Sequence, residues 1–144
     1  MRRLALAGLL LLAGCGGAGG GGAGPLAWTE PPLVFTPATT PGDRILTGTL
    51  RNEGLRRLRV DLPELRVRDA DGDTVAAQPV FLQTFGKSLW SPGRGPAQLP
   101  ETELLRTGRI AWLEPGQTVP FTLAWRAPAA PARIEYAGGW VGVP

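Results

Sequence analysis

"TVPFTLAWRAP", residues 118–128, decides the fold class. Val119, Phe121, Leu123 and Trp125 occupy every second position, with Pro120, Thr122, Ala124 and Arg126 between them. Side chains alternate between faces along a strand, whereas a helix repeats every 3.6 residues, so this period of two predicts a half-buried β-strand. Just upstream, "GRIAWLEPGQ" (residues 108–117) places Ile110 and Trp112 on one face, ahead of a turn through Glu114-Pro115-Gly116-Gln117. Proline sets φ at the second turn position and glycine accepts a positive φ at the third, which suits a type II turn. A hairpin joining the two runs is expected.

The same alternation recurs outward from this stretch. "ELRVRDADGDTVA" (residues 64–76) puts Leu65 and Val67 inward and Glu64, Arg66 and Arg68 outward, with a turn over Asp69 to Gly72 and a return over Thr74 to Ala77. "RILTGTLRNEGLRRLRVDL" (residues 44–62) predicts a strand near Ile45 to Arg51, a turn at Asn52-Glu53-Gly54, and a strand carrying Leu58, Val60 and Leu62 toward the core. Weaker strands are expected near Leu33 to Thr36, Val80 to Phe85 and Arg133 to Tyr136, and Pro31, Pro32, Pro37 and Pro41 make the first an edge or broken strand. About seven to eight short strands with regular turn signals predict an all-β antiparallel sandwich. Trp112 and Trp125 are assigned to its core, and Trp28 and Trp140 to the core margin.

Composition narrows the chemistry. A chain of 144 residues, 43% apolar and 19% charged, suits one globular domain. It has no histidine and one cysteine, which excludes an internal disulfide, a Cys/His zinc site and any nucleophile system that needs an imidazole base. Arg2 and Arg3 lie ahead of residue 15 and all 12 acidic residues lie after it, leaving 13 basic residues and a net charge of +1 downstream. So small a charge gives no footing for nucleic-acid binding.

The first 14 residues read as a secretory signal, with Arg2 and Arg3 as the positive region, Leu4 to Leu12 as a short apolar region, then Ala13 and Gly14. That apolar run is far shorter than the ~20 residues needed to span a bilayer. The tetrad Leu12-Ala13-Gly14-Cys15 resembles the lipobox of bacterial lipoproteins. The resemblance implies cleavage before Cys15 and attachment of a diacylglyceryl group to its sulfur, with acylation of the new amino terminus. Each buried methylene contributes roughly 0.8 kcal/mol, so several long acyl chains hold a protein firmly at a membrane. Gly16 is not the aspartate that, by the same resemblance, retains many lipoproteins at an inner membrane. Residues 16–24, "GGAGGGGAG", lack side chains to pack and are expected to form a flexible tether reaching about 15–18 Å. The expected organisation is therefore a signal peptide over 1–14, a lipidated cysteine and tether over 15–24, and a sandwich domain over 25–144.

Three turn signatures carry a second resemblance. "GTLRNEG", "VRDADGDTV" and "LEPGQTVPFTLAW" are similar to the bacterial extracytoplasmic immunoglobulin-like modules across Arg44 to Arg126. This implies an immunoglobulin-like antiparallel β-sandwich without the antibody disulfide, and it specifies architecture rather than activity. A fainter likeness is to bacterial proteinase-inhibitor domains of sandwich form.

Candidate chemistry is sparse. Asp69, Asp71 and Asp73 invite a calcium site, but glycine falls fourth rather than sixth and no glutamate closes the loop, so a hairpin turn is the preferred reading. Arg51, Arg56, Arg57, Arg59, Arg66 and Arg68 form a cationic series able to touch anionic headgroups or a wall polymer, read here as a solvated outer sheet face. The segment 86–103 is rich in proline and glycine, and Trp90, flanked by Lys87 and Arg94, is its candidate partner-binding residue. Glu101 and Glu103 form an unspecific carboxylate pair, and the glycines at 19–22 lack the lysine and the strand–helix unit of a phosphate loop. The expectation is a lipid-anchored, extracytoplasmic, non-catalytic binding or envelope-assembly module with no cofactor and a protein or envelope-polymer partner. An inhibitor acting through 86–103 and a calcium-dependent adhesive domain are its alternatives.

Overall fold

The computed structural model describes residues 21–38, 40–82 and 108–144. The elements run β1 (Gly22–Ala23), β2 (Leu26–Trp28), β3 (Leu33–Phe35), β4 (Asp43–Asn52), β5 (Leu58–Asp61), a single 3-10 turn (Leu62–Glu64), β6 (Arg66–Asp69), β7 (Ala77–Val80), β8 (Ile110–Leu113), β9 (Thr118–Arg126), β10 (Pro131–Tyr136) and β11 (Gly139–Gly142). The all-β expectation holds, and the described residues contain no α-helix and no helix able to cross a membrane. All pairings between these strands are antiparallel.

Two sheets and a ribbon make up the sandwich. One sheet has the order β1-β11-β10-β6, the other β2-β4-β9-β7 with β3 also on β4, and β5 pairs with β8 alone. Strand number exceeds the expected seven to eight because β1 and β2 precede the expected first strand, which forms as β3, and a further strand, β11, follows β10. The core lies between the sheets. Leu46, Leu50, Phe121, Leu123 and Trp125 from one meet Val67, Ile134 and Val141 from the other, with Val60, Leu62 and Leu113 closing one side. Phe121, fully buried, meets the rings of Trp28 at 6.0 Å and Phe81 at 6.4 Å between centroids.

Strand β9 is buried on both faces, not one. Thr122 and Ala124, the small residues of the supposed outer face, are fully buried. Ala124 lies directly opposite Ile45, and together with Val80 and Phe35 they form a second apolar cluster. Thr47 and Thr122, also paired across the strands, share a 3.2 Å hydrogen bond between their hydroxyls. A central strand with neighbours on both edges and cover on both faces needs such small or self-satisfying polar groups.

The hairpin expected at 114–117 is absent, and β4 does not pair with β5 across 52–54, for one reason. The local turn at 114–117 forms as read, with Gln117 N donating to Glu114 O at 2.9 Å and Gly116 at φ +82°. Yet β8 pairs with β5 rather than with β9, and β4 pairs with β9 from Asp43↔Arg126 to Arg51↔Thr118. The β4–β9 ladder therefore turns a corner and continues as β5–β8. Asn52 sits at this corner, fully buried. Its backbone bridges the two strands, donating to Gln117 O at 3.0 Å and accepting from Gly116 N at 2.7 Å. Its side-chain Nδ2 donates to Arg56 O at 2.8 Å and Leu113 O at 2.9 Å, while Oδ1 accepts from Gly54 N at 2.9 Å. Both chain segments are thus held by one amide.

The third expected turn forms. Gly72 adopts φ +89°, Asp69 N donates to Asp73 O at 3.0 Å, and Val75 N donates to Val67 O at 2.9 Å. After Val75 the chain leaves this hairpin, and β7 joins β9 in the opposite sheet.

The sandwich begins inside the stretch expected to be tether. Gly22 and Ala23 pair with Val141 and Trp140 on the edge of β11. Absent side chains are what make this pairing possible: a Cβ on Gly139 would lie 1.9 Å from Ala23 O, and Gly24, at φ +100°, would meet Gly138 O at 2.4 Å. Gly22 and Ala23, expected as tether, thus belong to the sheet.

Removing the corner amide should be costly. Asn52→Ala leaves Leu113 O and Gly54 N without their partner and should lower unfolding free energy by about 2–3 kcal/mol, seen as a lower urea midpoint at unchanged slope. Asn52→Asp keeps an acceptor but loses both donors, and should also be destabilised. An unchanged midpoint in both variants would dismiss the corner as the organising feature.

Candidate functional site

The β5–β8 ribbon presents the most distinctive surface. Leu58, Val60, Ala111 and Leu113 turn inward, so Arg57, Arg59, Asp61, Ile110 and Trp112 turn outward. Trp112 is 52% exposed and Leu113 only 4%, which corrects the assignment of Trp112 to the core. Alternation alone permits either face to be the inner one. The corner settles it, because Asn52 takes Leu113 O as a partner and draws that end of β8 inward.

Trp112 does not stand bare. Arg59 is its cross-strand neighbour, and the guanidinium carbons of Arg57 and Arg59 lie 4.6 Å and 5.7 Å from the ring centroid. Such cation–π contacts contribute about 0.5–1 kcal/mol each at exposed sites. Arg57 also pairs with Glu114 at 3.1 Å and Arg59 with Asp61 at 2.8 Å. Tryptophan and arginine are the residue types most often found at binding hot spots. Ile110 beside it is half-exposed, and Leu55 is exposed at the corner.

The other cationic strand is neutralised by a residue distant in sequence. Glu135 on β10 accepts from Arg133 Nε at 2.9 Å and from Arg68 Nε at 3.2 Å. The Arg133 hydrogen bond, followed by that of Arg68, holds the Glu135 carboxyl below its ordinary value. Tyr136 next to it is pushed up by burial, and its hydroxyl accepts from Leu26 N at 2.9 Å.

A cleft opens at the side of the sandwich between β6 and β7. Its volume is about 490 Å³. It exists because the hairpin return leaves one sheet at Val75 and enters the other at Ala77, so the edges of the two sheets diverge there. Leu62, Leu65 and Val67 form one apolar wall, and Val75 to Pro79 form the other. Two cations, Arg66 and Arg109, line it, and no described lining residue is a carboxylate.

Among the sequence-derived candidates, Asp69 is occupied by its own turn. Its Oδ1 accepts from Asp71 N at 3.0 Å and Asp73 N at 2.8 Å. No group of three His, Cys, Asp or Glu residues is placed to hold a metal among the described residues. Cys15, Trp90, Lys87, Arg94, Glu101 and Glu103 lie outside the described residues. The Trp112 face and the β6–β7 cleft were not anticipated as sites. Arg57 and Arg59 belong to the expected cationic series, and the ring they cover, Trp112, lies on another strand.

Comparison with protein-family models, curated proteins and solved structures yields no match. Function therefore has to be argued from the chain's own residues.

Two outcomes check this geometry. Trp125→Ala should cost about 3–5 kcal/mol of stability, whereas Trp112→Ala should cost less than about 1–2 kcal/mol, measured by urea unfolding. Separately, Glu135 is more acidic in the folded chain than its ordinary value of 4.5. Its ion pairs thus contribute fully above the unfolded value and are lost as pH falls through the folded one. Melting temperature should decline on acidification below about pH 4.5 more steeply for the wild type than for Glu135→Gln.

Proposed function

We propose that this chain is a lipoprotein of a bacterial cell envelope, lipidated at Cys15 and displaying an immunoglobulin-like sandwich on the extracytoplasmic side as a non-catalytic binding or assembly module. The observation that carries the reading is the order of Arg2-Arg3, the apolar run Leu4 to Leu12, and Leu12-Ala13-Gly14-Cys15. A positive region, a short apolar region and small residues before a cleavage point are what a signal peptidase reads. A cysteine immediately after that point is where a diacylglyceryl anchor is added, by resemblance to the bacterial lipoproteins.

The start of β1 supports a close association with the bilayer. Gly22 is already paired in the sheet, so six residues, 16–21, separate it from Cys15. Fully extended, that stretch covers at most about 23–25 Å from Cys15 to Gly22. An anchored sandwich would remain within that distance of the headgroups. The binding role is supported by the Trp112–Arg57–Arg59 face, whose residue types are those of recognition surfaces. A non-catalytic role agrees with a chain that holds no histidine and no thiol beyond the proposed anchor.

Mass spectrometry of the native product tests the anchor. The expected species begins at Cys15 with a diacylglyceryl thioether, and Cys15→Ser abolishes both lipid labelling and membrane fractionation. A free thiol at Cys15, or a mature start elsewhere, overturns the reading.

A further inference from the structure

The cleft between β6 and β7 combines three properties that together specify a ligand. Its volume of about 490 Å³ falls within the ~300–1,000 Å³ of small-ligand sites. Its walls are largely aliphatic, including Leu62, Leu65, Val67 and Val75. Its charge is of one sign: Arg66 and Arg109 line it with no described carboxylate in the lining.

The Arg66 side chain and the Arg109 backbone are also held in place. Arg66 Nη1 donates to Pro63 O and Leu65 O, each at 3.0 Å, so its guanidinium is braced by neutral carbonyls. Arg109 is fixed beside the 3-10 turn through its backbone, whose carbonyl accepts from Leu62 N at 2.9 Å. The contrast with the rest of the surface is informative. Arg57, Arg59, Arg68 and Arg133 each meet a carboxylate, whereas the Arg66 guanidinium donates to the carbonyls of Pro63 and Leu65. A braced guanidinium is a strong donor for an oxyanion, because little further ordering is needed when the anion arrives.

We propose that this cleft binds a single-chain anionic amphiphile, an alkyl chain ending in a carboxylate or phosphate head. The chain lies against Leu62, Leu65, Val67 and Val75, and the head meets Arg66 and Arg109. Burial of alkyl methylenes supplies the favourable free energy, and the two guanidinium groups select the anion. Neither half suffices alone: a free anion has no contact with the aliphatic walls, and a neutral alkane leaves the two cations unanswered. The proposal extends the binding role above to a ligand class but does not rest on the anchor at Cys15.

Calorimetric titration of the full chain as Cys15→Ser, so that no acyl group of its own competes, provides the test. Decanoate below its micelle-forming concentration, decanol and inorganic phosphate are the three probes. The expected result is saturable binding of one decanoate per chain, at least about ten-fold tighter than either of the others. Arg109→Gln, an exposed position, should weaken decanoate about ten-fold and leave decanol unchanged. Ala76→Trp, also at an exposed lining position, should block decanoate while circular dichroism and melting temperature stay as in the parent. Equal affinity for decanoate and decanol, or for decanoate and phosphate, overturns the proposal. So does an absence of saturable binding, or undiminished decanoate binding in folded Ala76→Trp. None of these results bears on the Cys15 anchor, whose own test is the lipid on the native product.

Discussion

The arrangement of this protein depends on one buried side-chain amide. Asn52 makes hydrogen bonds to Arg56 O, Leu113 O and Gly54 N from a position with no solvent access. Leaving such a group unpaired costs about 1–3 kcal/mol, so the chain around it must adopt a shape that supplies all three partners. A corner does so, since it brings the segment after β4 and the last residue of β8 to the same amide. The remaining architecture follows from that junction. β5 and β8 become a ribbon, Leu113 turns inward, Trp112 turns outward, and the 3-10 turn is delivered to the mouth of the cleft.

Charge is distributed by the same topology. Arg57 finds Glu114, Arg68 and Arg133 find Glu135, and two of these pairings join residues far apart in sequence. Exposed ion pairs contribute little to stability, about 0–1 kcal/mol each, but they remove net charge from the strand faces locally. What is left over is concentrated. Two cations line the cleft, and the ribbon keeps an aromatic ring under two guanidinium groups.

Several features were legible before any coordinates. The turns at 69–72 and 114–117 formed where glycine and proline placed them, and β4, β5, β6, β8 and β9 lie on the alternating runs. These are local properties, set by φ preferences and by which side chains share a face. The misreadings have a common source in partners lying elsewhere. Trp112 was placed inside because its run was paired with β9, while the strand it meets is β5. Alternation along β9 predicts one buried face, while Ile45 and Val80 cover Ala124 on the other. The end of the glycine run was read as tether because it has no side chains, and the lack of side chains is what admits it beside Gly139.

By itself, the amino-acid order determined the all-β class, the positions of most strands and turns, the lack of imidazole chemistry, and the leader-like stretch ending at Cys15. Only the tertiary structure decided which strand pairs with which, which face of β8 meets solvent, and where an apolar cleft gathers two arginines. The reason is physical. Backbone donors and acceptors are the same on every strand edge, so pairing is chosen by what each alternative buries and leaves unsatisfied. That balance includes residues such as Asn52 and Leu113, 61 positions apart.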